Sequence, residues 1–189
     1  MILDAVREHL RNHFDSQFDS ASVTFLGAEP IEVLRFRSHP LVHYASLGCS
    51  RYPMTDPTEI VADQVRGPRA EVVLSLRDPG PITGVARTLA VLAATPAVDG
   101  VVLVPDALID LGGSLWSRAP FTAVLLGRSD IADLPLDPPR EPVQFLSATP
   151  ITATEAAWVR LKGAEAMRQA WVGDGVDVLD PNRPAAQPS

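Results

Sequence analysis

The sequence predicts an α+β domain: a single unit with a mixed, mostly antiparallel β-sheet packed with two to three helices. Three observations carry this. The segment types run helix, strands, helix, strands, helix, which is the order of an α+β unit rather than of alternating βα repeats. Three strand-like runs between residues 22 and 48 follow one another through three-residue links, "AEP" and "SHP", and links that short favour an antiparallel meander. Apolar residues make up 46% of 189, enough to build one sizeable core and to exclude a wholly disordered chain.

Each element has its own local reason. Residues 2–14 place Ile2, Leu3, Val6, Leu10 and Phe14 at helical spacing, with Arg7, Glu8, Arg11 and Asn12 between them. "DSQFDSAS" breaks that pattern with turn and cap residues. The meander then comprises 22–27, 31–37 and 41–48. In the second run Ile31, Val33, Arg35 and Arg37 share one parity and Glu32, Leu34 and Phe36 the other, an imperfect alternation. "RYPMTDPTEIVADQVRGP" (51–68) is a long polar connection with three prolines, of a kind that is uncommon inside a compact domain and often functional. A fourth strand spans 69–77. The apolar helix 81–96 is expected to stop at Pro96. Buried strands are expected at 100–105 and 121–127, flanking a Gly/Pro-punctuated loop, and the last core strand at 142–150. Thr152 and Glu155 form a capping box that opens a final helix running to about Trp171, with Gly163 inside it. Residues 1–172 thus read as the domain and 173–189 as an extension whose Pro-rich last residues are mobile.

The totals exclude several functions. A net charge of -7 repels nucleic-acid phosphates but suits a basic protein partner. Asp4, Arg7 and Glu8 interrupt any secretory h-region, and no uncharged run reaches the ~20 residues of a membrane helix, so a cytoplasmic protein with no membrane contact is expected. One cysteine rules out an internal disulfide. Fifteen arginines against one lysine, Lys162, suit a GC-rich genome such as an actinobacterial one.

No catalytic or cofactor constellation stands out. Cys49 lies near Arg51 and His43, but six steps of extended chain put the histidine about 20 Å away. A nucleophilic thiol needs a pKa-lowering neighbour, so packing is the default role for Cys49. His9 and His13 share a helix face without a third metal ligand. Ser114 in "LGGSLW" lacks the following glycine of a nucleophile elbow, since Trp116 stands there. The loop carboxylates are scattered.

The stretch "VHYASLGCSRYPM" resembles the strand-and-loop signature of the suppressor-of-fused family, through His43, Tyr44, Ser46, Gly48, Ser50 and Tyr52. "RAEVVLSLRDP" is similar to the family's Glu-containing strand, with Glu71 in the matching place. "TGVARTLAVLA", "LGGSLWSRAPFTAVLLG" and "VQFLSATPITATEAAWVRLKGAEAMRQAW" follow in the family's order. The likeness covers roughly residues 25–172. It does not extend to the long second region of animal members, so their regulation of transcription factors is not carried over.

What the resemblance implies is a non-catalytic protein-binding module without a cofactor. In a bacterium this would be an immunity protein that neutralises a basic toxin domain. The rigid-sheet loop with Ser50, Arg51, Tyr52, Asp56 and Glu59 is the expected contact, with the acidic loops 105–111 and 130–141 as further candidates. Two other readings stay open. One is a small enzyme with a pocket using Cys49 or loop carboxylates. The other is a structural subunit that exposes Trp116, Phe121, Trp158 and Trp171 as an apolar patch.

Overall fold

The computed structural model describes residues 1–56, 58–61 and 63–188. Seven strands form one sheet: β1 (Phe18–Phe25), β2 (Ala28–Ser38), β3 (Leu41–Leu47), β4 (Arg69–Arg77), β5 (Leu108–Asp110), β6 (Phe121–Arg128) and β7 (Val143–Thr152). Their order is β1-β2-β3-β4-β7-β6-β5. All neighbours are antiparallel except β4 and β7, which run parallel at the centre. The helices are α1 (Ile2–Phe14), α2 (Val85–Asp99), α3 (Ala153–Lys162) and α4 (Ala164–Gly173). The α+β class, the single domain and the mixed, mostly antiparallel sheet agree with the sequence reading.

The imperfect alternation in β2 now has a cause: both faces of the sheet are covered. Ile31 and Val33 point to the α2 side, with Val42, Tyr44, Val72, Leu74 and Leu76 of the neighbouring strands. Leu34 and Phe36 point to the other side, where α1 lays Val6 and Leu10 against Ala45, Leu47, Val73 and Phe145. Farther along that second side, α3 and α4 pack Ala156, Val159, Met167 and Trp171 on Ala123, Leu125 and Ile151.

Several expectations are corrected. β1 starts at Phe18, inside the stretch read as a break, because it pairs with β2 from Phe18↔Phe36 onward. Residues 100–105 form no strand; the short edge strand is Leu108–Asp110. α2 runs past Pro96 to Asp99. Proline removes the N–H that would bond the Leu92 carbonyl, and the Thr95 hydroxyl donates to that carbonyl instead at 2.8 Å. The closing helix is two helices, divided at Gly163, whose φ of 93° is a backbone that only glycine adopts readily.

Of residues 173–189, expected as an extension with a mobile end, 174–188 lie against the domain. The Arg77 N–H donates to the Leu179 carbonyl, and Arg77 pairs with Asp177. Arg183 is 2% exposed and enters the site of the Thr152–Glu155 cap. Its guanidinium meets both carboxylate oxygens of Glu155 at 2.9 and 3.0 Å and the Pro150 carbonyl at 2.9 Å, with Phe121 and Trp171 against its face. Glu155 also accepts from Thr152 N–H, Trp171 Nε1–H and Ala186 N–H. Burial alone would push this carboxyl up; Arg183 and the N–H donors more than offset that and hold it below the usual range. Ser189 lies outside the described residues.

Candidate functional site

The end of β3 and the turn after it form a tightly bonded centre. Gly48 takes a φ of 146°, and a side chain there would put Cβ 2.9 Å from Ile31 Cδ1 and 3.2 Å from the Pro30 carbonyl oxygen. That backbone turns the chain into a 3-10 turn, Cys49–Arg51, and aims successive N–H groups inward. Glu71, fully buried on adjacent β4, receives them: Gly48 N–H donates to Oε1 at 2.7 Å and Ser50 N–H at 3.2 Å. The Ser46 hydroxyl lies 3.4 Å from Oε2 and accepts the Val72 N–H at 2.9 Å. Burial raises the Glu71 pKa to about 7, outweighing the opposing pull of these donors.

Arg69, two residues earlier and 2% exposed, clamps the loop from the other side. Its guanidinium donates to the carbonyls of Ser50, Arg51 and Val65 at 2.9 to 3.2 Å. Sequence reasoning missed Arg69, since an arginine at a strand start reads as a solvated end residue. Met54 is buried, and its N–H donates to the Pro68 carbonyl at 2.7 Å, tying both ends of the 51–68 connection together.

The structure therefore brings Ser46, Gly48, Ser50 and Glu71 together. His43 and Tyr44 stand upstream on β3. His43 Nδ1 lies 2.6 Å from the Ser75 hydroxyl, and its ring stacks on Phe14. Tyr44 is buried on the α2 side.

The proposed contact residues divide. Ser50 is buried, so it supports the loop rather than touching a partner. Arg51 is half-buried and pairs with Glu29 at 3.2 Å. Tyr52 is 54% exposed, and Asp56 and Glu59 are exposed. Asp56 is occupied in an Asx turn, accepting from the Thr58 N–H and hydroxyl, and these bonds lower its pKa. The next two residues, Ile60 and Val61, are exposed apolar side chains that the sequence reading passed over. Pro57 and Ala62 of this connection lie outside the described residues.

The nucleophile reading of Cys49 loses its physical basis. Its thiol is desolvated and faces Glu71, both of which push its pKa well above the ordinary value. The patch reading fails on burial: Trp116, Phe121 and Trp171 are buried and Trp158 is half-buried. The acidic loops are partly spent, with Asp106 paired to Arg168 and Asp110 to Arg160. His9 bonds the Ala132 carbonyl and His13 faces Asp130, and no group of three metal-ligating side chains occurs among the described residues. Among those residues, no helix is long and apolar enough to cross a membrane.

Known proteins supply the frame for this geometry. No curated protein matches the chain. Among solved structures, a chain from Neisseria gonorrhoeae assigned as a suppressor of fused homologue superposes with a TM-score of 0.70 at 18% identity, covering 97% of this chain and 96% of that one. A chain from the Sufu–Fu complex gives 0.71 at 15% identity, covering 97% and 91%. Drosophila Suppressor of Fused gives 0.67 at 17% identity; 97% of this chain spans 50% of that protein. At these identities the superpositions establish a shared fold. The family model of the suppressor of fused protein matches residues 27–184, past the boundary at 172 and through Arg183. A match over that much of the sequence establishes membership: the chain belongs to the suppressor of fused (SUFU) family.

Proposed function

We propose that the chain is a non-catalytic module that binds another protein, and that it serves a bacterium as an immunity protein whose partner is a basic toxin domain. The observation that carries the reading is where the signature residues direct their polar groups. Ser46, Gly48 and Ser50 all donate to Glu71, so the strand end reads as a rigid mount rather than a reactive centre. On that mount Tyr52, Asp56, Glu59 and Ile60 face solvent, a mixed apolar and acidic set of the kind that anchors a partner while the overall charge of -7 steers a basic one. A family relative has been solved in a complex, Sufu with Fu, which supports protein binding as the general mode.

The test is recovery of a partner on the tagged chain at low and moderate salt, followed by titration of the purified pair. Neutralisation of the toxin should saturate at one equivalent and weaken with added salt. Substoichiometric neutralisation would identify catalysis instead. Tyr52→Ala and Ile60→Asp should weaken the complex without changing thermal stability; full binding by both variants moves the interface to another face.

A further inference from the structure

A cavity of about 540 Å³ lies between the tip of the β1–β2 hairpin, the 51–68 connection and the end of α2. Its lining includes Ile31, Met54 and Ala93, all members of the α2-side core, and Cys49, which packs against that core. The core is therefore open to the surface at this point. Exposed aliphatic side chains stand on each of the three walling segments: Leu26 on the hairpin, Ile60 and Val61 on the connection, Val98 on α2. An apolar recess with exposed apolar side chains on the segments around it is the make-up of a protein-contact surface.

The charges decide what kind of partner fits. Of the charged residues that line the cavity, Glu29 and Arg51 pair at 3.2 Å and offset one another, which leaves Asp63. Asp63 forms no ion pair among the described residues. The Arg66 and Val65 N–H groups donate to its Oδ1 at 3.0 and 2.8 Å, which lowers its pKa and keeps it ionised. The Arg66 guanidinium favours the same charge from beyond ion-pair distance. The connection adds Asp56 and Glu59 and, from 52 to 64, holds no lysine or arginine. α2 acts in the same sense. Pro96 and Ala97 of its last turn line the cavity, and a helix C-terminus carries partial negative charge that a basic residue in the last turn normally offsets. α2 has no basic residue there and carries Asp99 instead. The recess thus combines an apolar floor with a negative rim, and the side chains that combine an aliphatic stem with a cationic head are arginine and lysine.

We propose that this cavity receives a basic side chain from an apolar loop of the partner protein, its stem lying on Ile31, Cys49, Met54 and Ala93 and its cationic head meeting Asp63 and the end of α2. The inference rests on the protein-binding reading above and specifies the recess and the chemistry through which the partner is held.

The test is an NMR titration of the isotope-labelled full chain with the peptide acetyl-Leu-Arg-Leu-amide and, separately, acetyl-Leu-Glu-Leu-amide, at fixed low ionic strength. Saturable shifts centred on the Gly48, Cys49, Asp63 and Ala97 amides are expected for the arginine peptide, with the glutamate peptide at least about fivefold weaker. Asp63→Asn keeps the oxygen that accepts the two N–H bonds and removes the charge, and should weaken the arginine peptide about threefold. Ala97→Phe adds bulk at an exposed lining position and should weaken it at least about tenfold. Asp174→Asn removes an equal charge at the end of α4, across the sheet, and should leave it unchanged. Equal binding of the two peptides, shifts that rise linearly without saturating, or full affinity in both Asp63→Asn and Ala97→Phe overturn the proposal. The same two variants separate this inference from the reading it rests on. A recovered partner that binds both at full affinity overturns the recess and leaves protein binding standing. A saturating arginine peptide with no recoverable partner supports the recess and counts against the toxin reading.

Discussion

Replacing Arg183 by methionine removes the cation paired with Glu155, a carboxylate that is 1% exposed. Glu155 would keep the Thr152, Trp171 and Ala186 N–H donors but lose both guanidinium bonds. Breaking one side of a buried ion pair costs about 3–5 kcal/mol. An unfolding entropy of about 2.1 cal/mol/K per residue over 189 residues gives about 0.4 kcal/mol/K, so the midpoint should fall by about 8–12 °C. Scanning calorimetry at pH 7 measures this. Arg160→Ala, which breaks the half-exposed pair with Asp110, is the control and should move the midpoint by less than about 3 °C. The sign with pH follows from the direction of the Glu155 shift. A lowered carboxyl pKa gives stability that is present above the unfolded value and lost as pH falls through the folded one. Without Arg183 the lone carboxyl takes up its proton more readily, so the deficit of the variant should shrink between pH 7 and pH 4. A loss below about 3 °C at pH 7, or a deficit independent of pH, would refute the reasoning.

Other expectations follow from the Glu71 centre. Because the folded pKa of Glu71 lies near 7, above its unfolded value, its contribution is complete at acid pH and declines as pH rises between about 4.5 and 7, by on the order of 3 kcal/mol. Glu71→Gln should flatten that part of the stability curve, read by chemical denaturation across the range; an unchanged slope sinks the assignment. Gly48→Ala should cost about 2 kcal/mol or more, from the positive φ and the approach of Ile31 and Pro30, measured by urea midpoint. Cys49 should resist iodoacetamide at pH 7.5 in the folded protein and label quickly once unfolded, followed by mass spectrometry.

The parts of the fold legible in the sequence were those fixed by near neighbours in the chain. The meander announced itself through strand-like runs with tight links, and the Thr152–Glu155 box through a four-residue pattern. The signature strand was legible by resemblance, and Ser46, Gly48, Ser50 and Glu71 do meet, though 21 to 25 residues of chain separate Glu71 from the others. What stayed hidden depended on distant partners. Arg183 is a polar residue in a Pro-rich stretch, and nothing local marks it as the counter-ion of a helix cap 28 residues back. Arg69 likewise gains meaning only when the 51–68 connection returns over it. Residues 101–104 have strand-like composition but find no strand to pair with, so Val101, Val102 and Leu103 serve packing on the α2 cluster instead, while Val104 is exposed. Gly163 reads equally as a mid-helix weakness or a boundary until its φ is known.

The latch at Arg183 also orders events during synthesis. A ribosome makes a chain from its N-terminal side onward, at about 5–20 residues per second. The sheet and the first four-fifths of the sequence emerge while Glu155 still has no counter-charge and the Trp171 face is still uncovered. Until residue 186 has cleared the exit tunnel, the nascent domain carries an open seam between β7 and its last helices. Completion of the native state is thereby tied to the translation of residues that come after every helix and strand is already made.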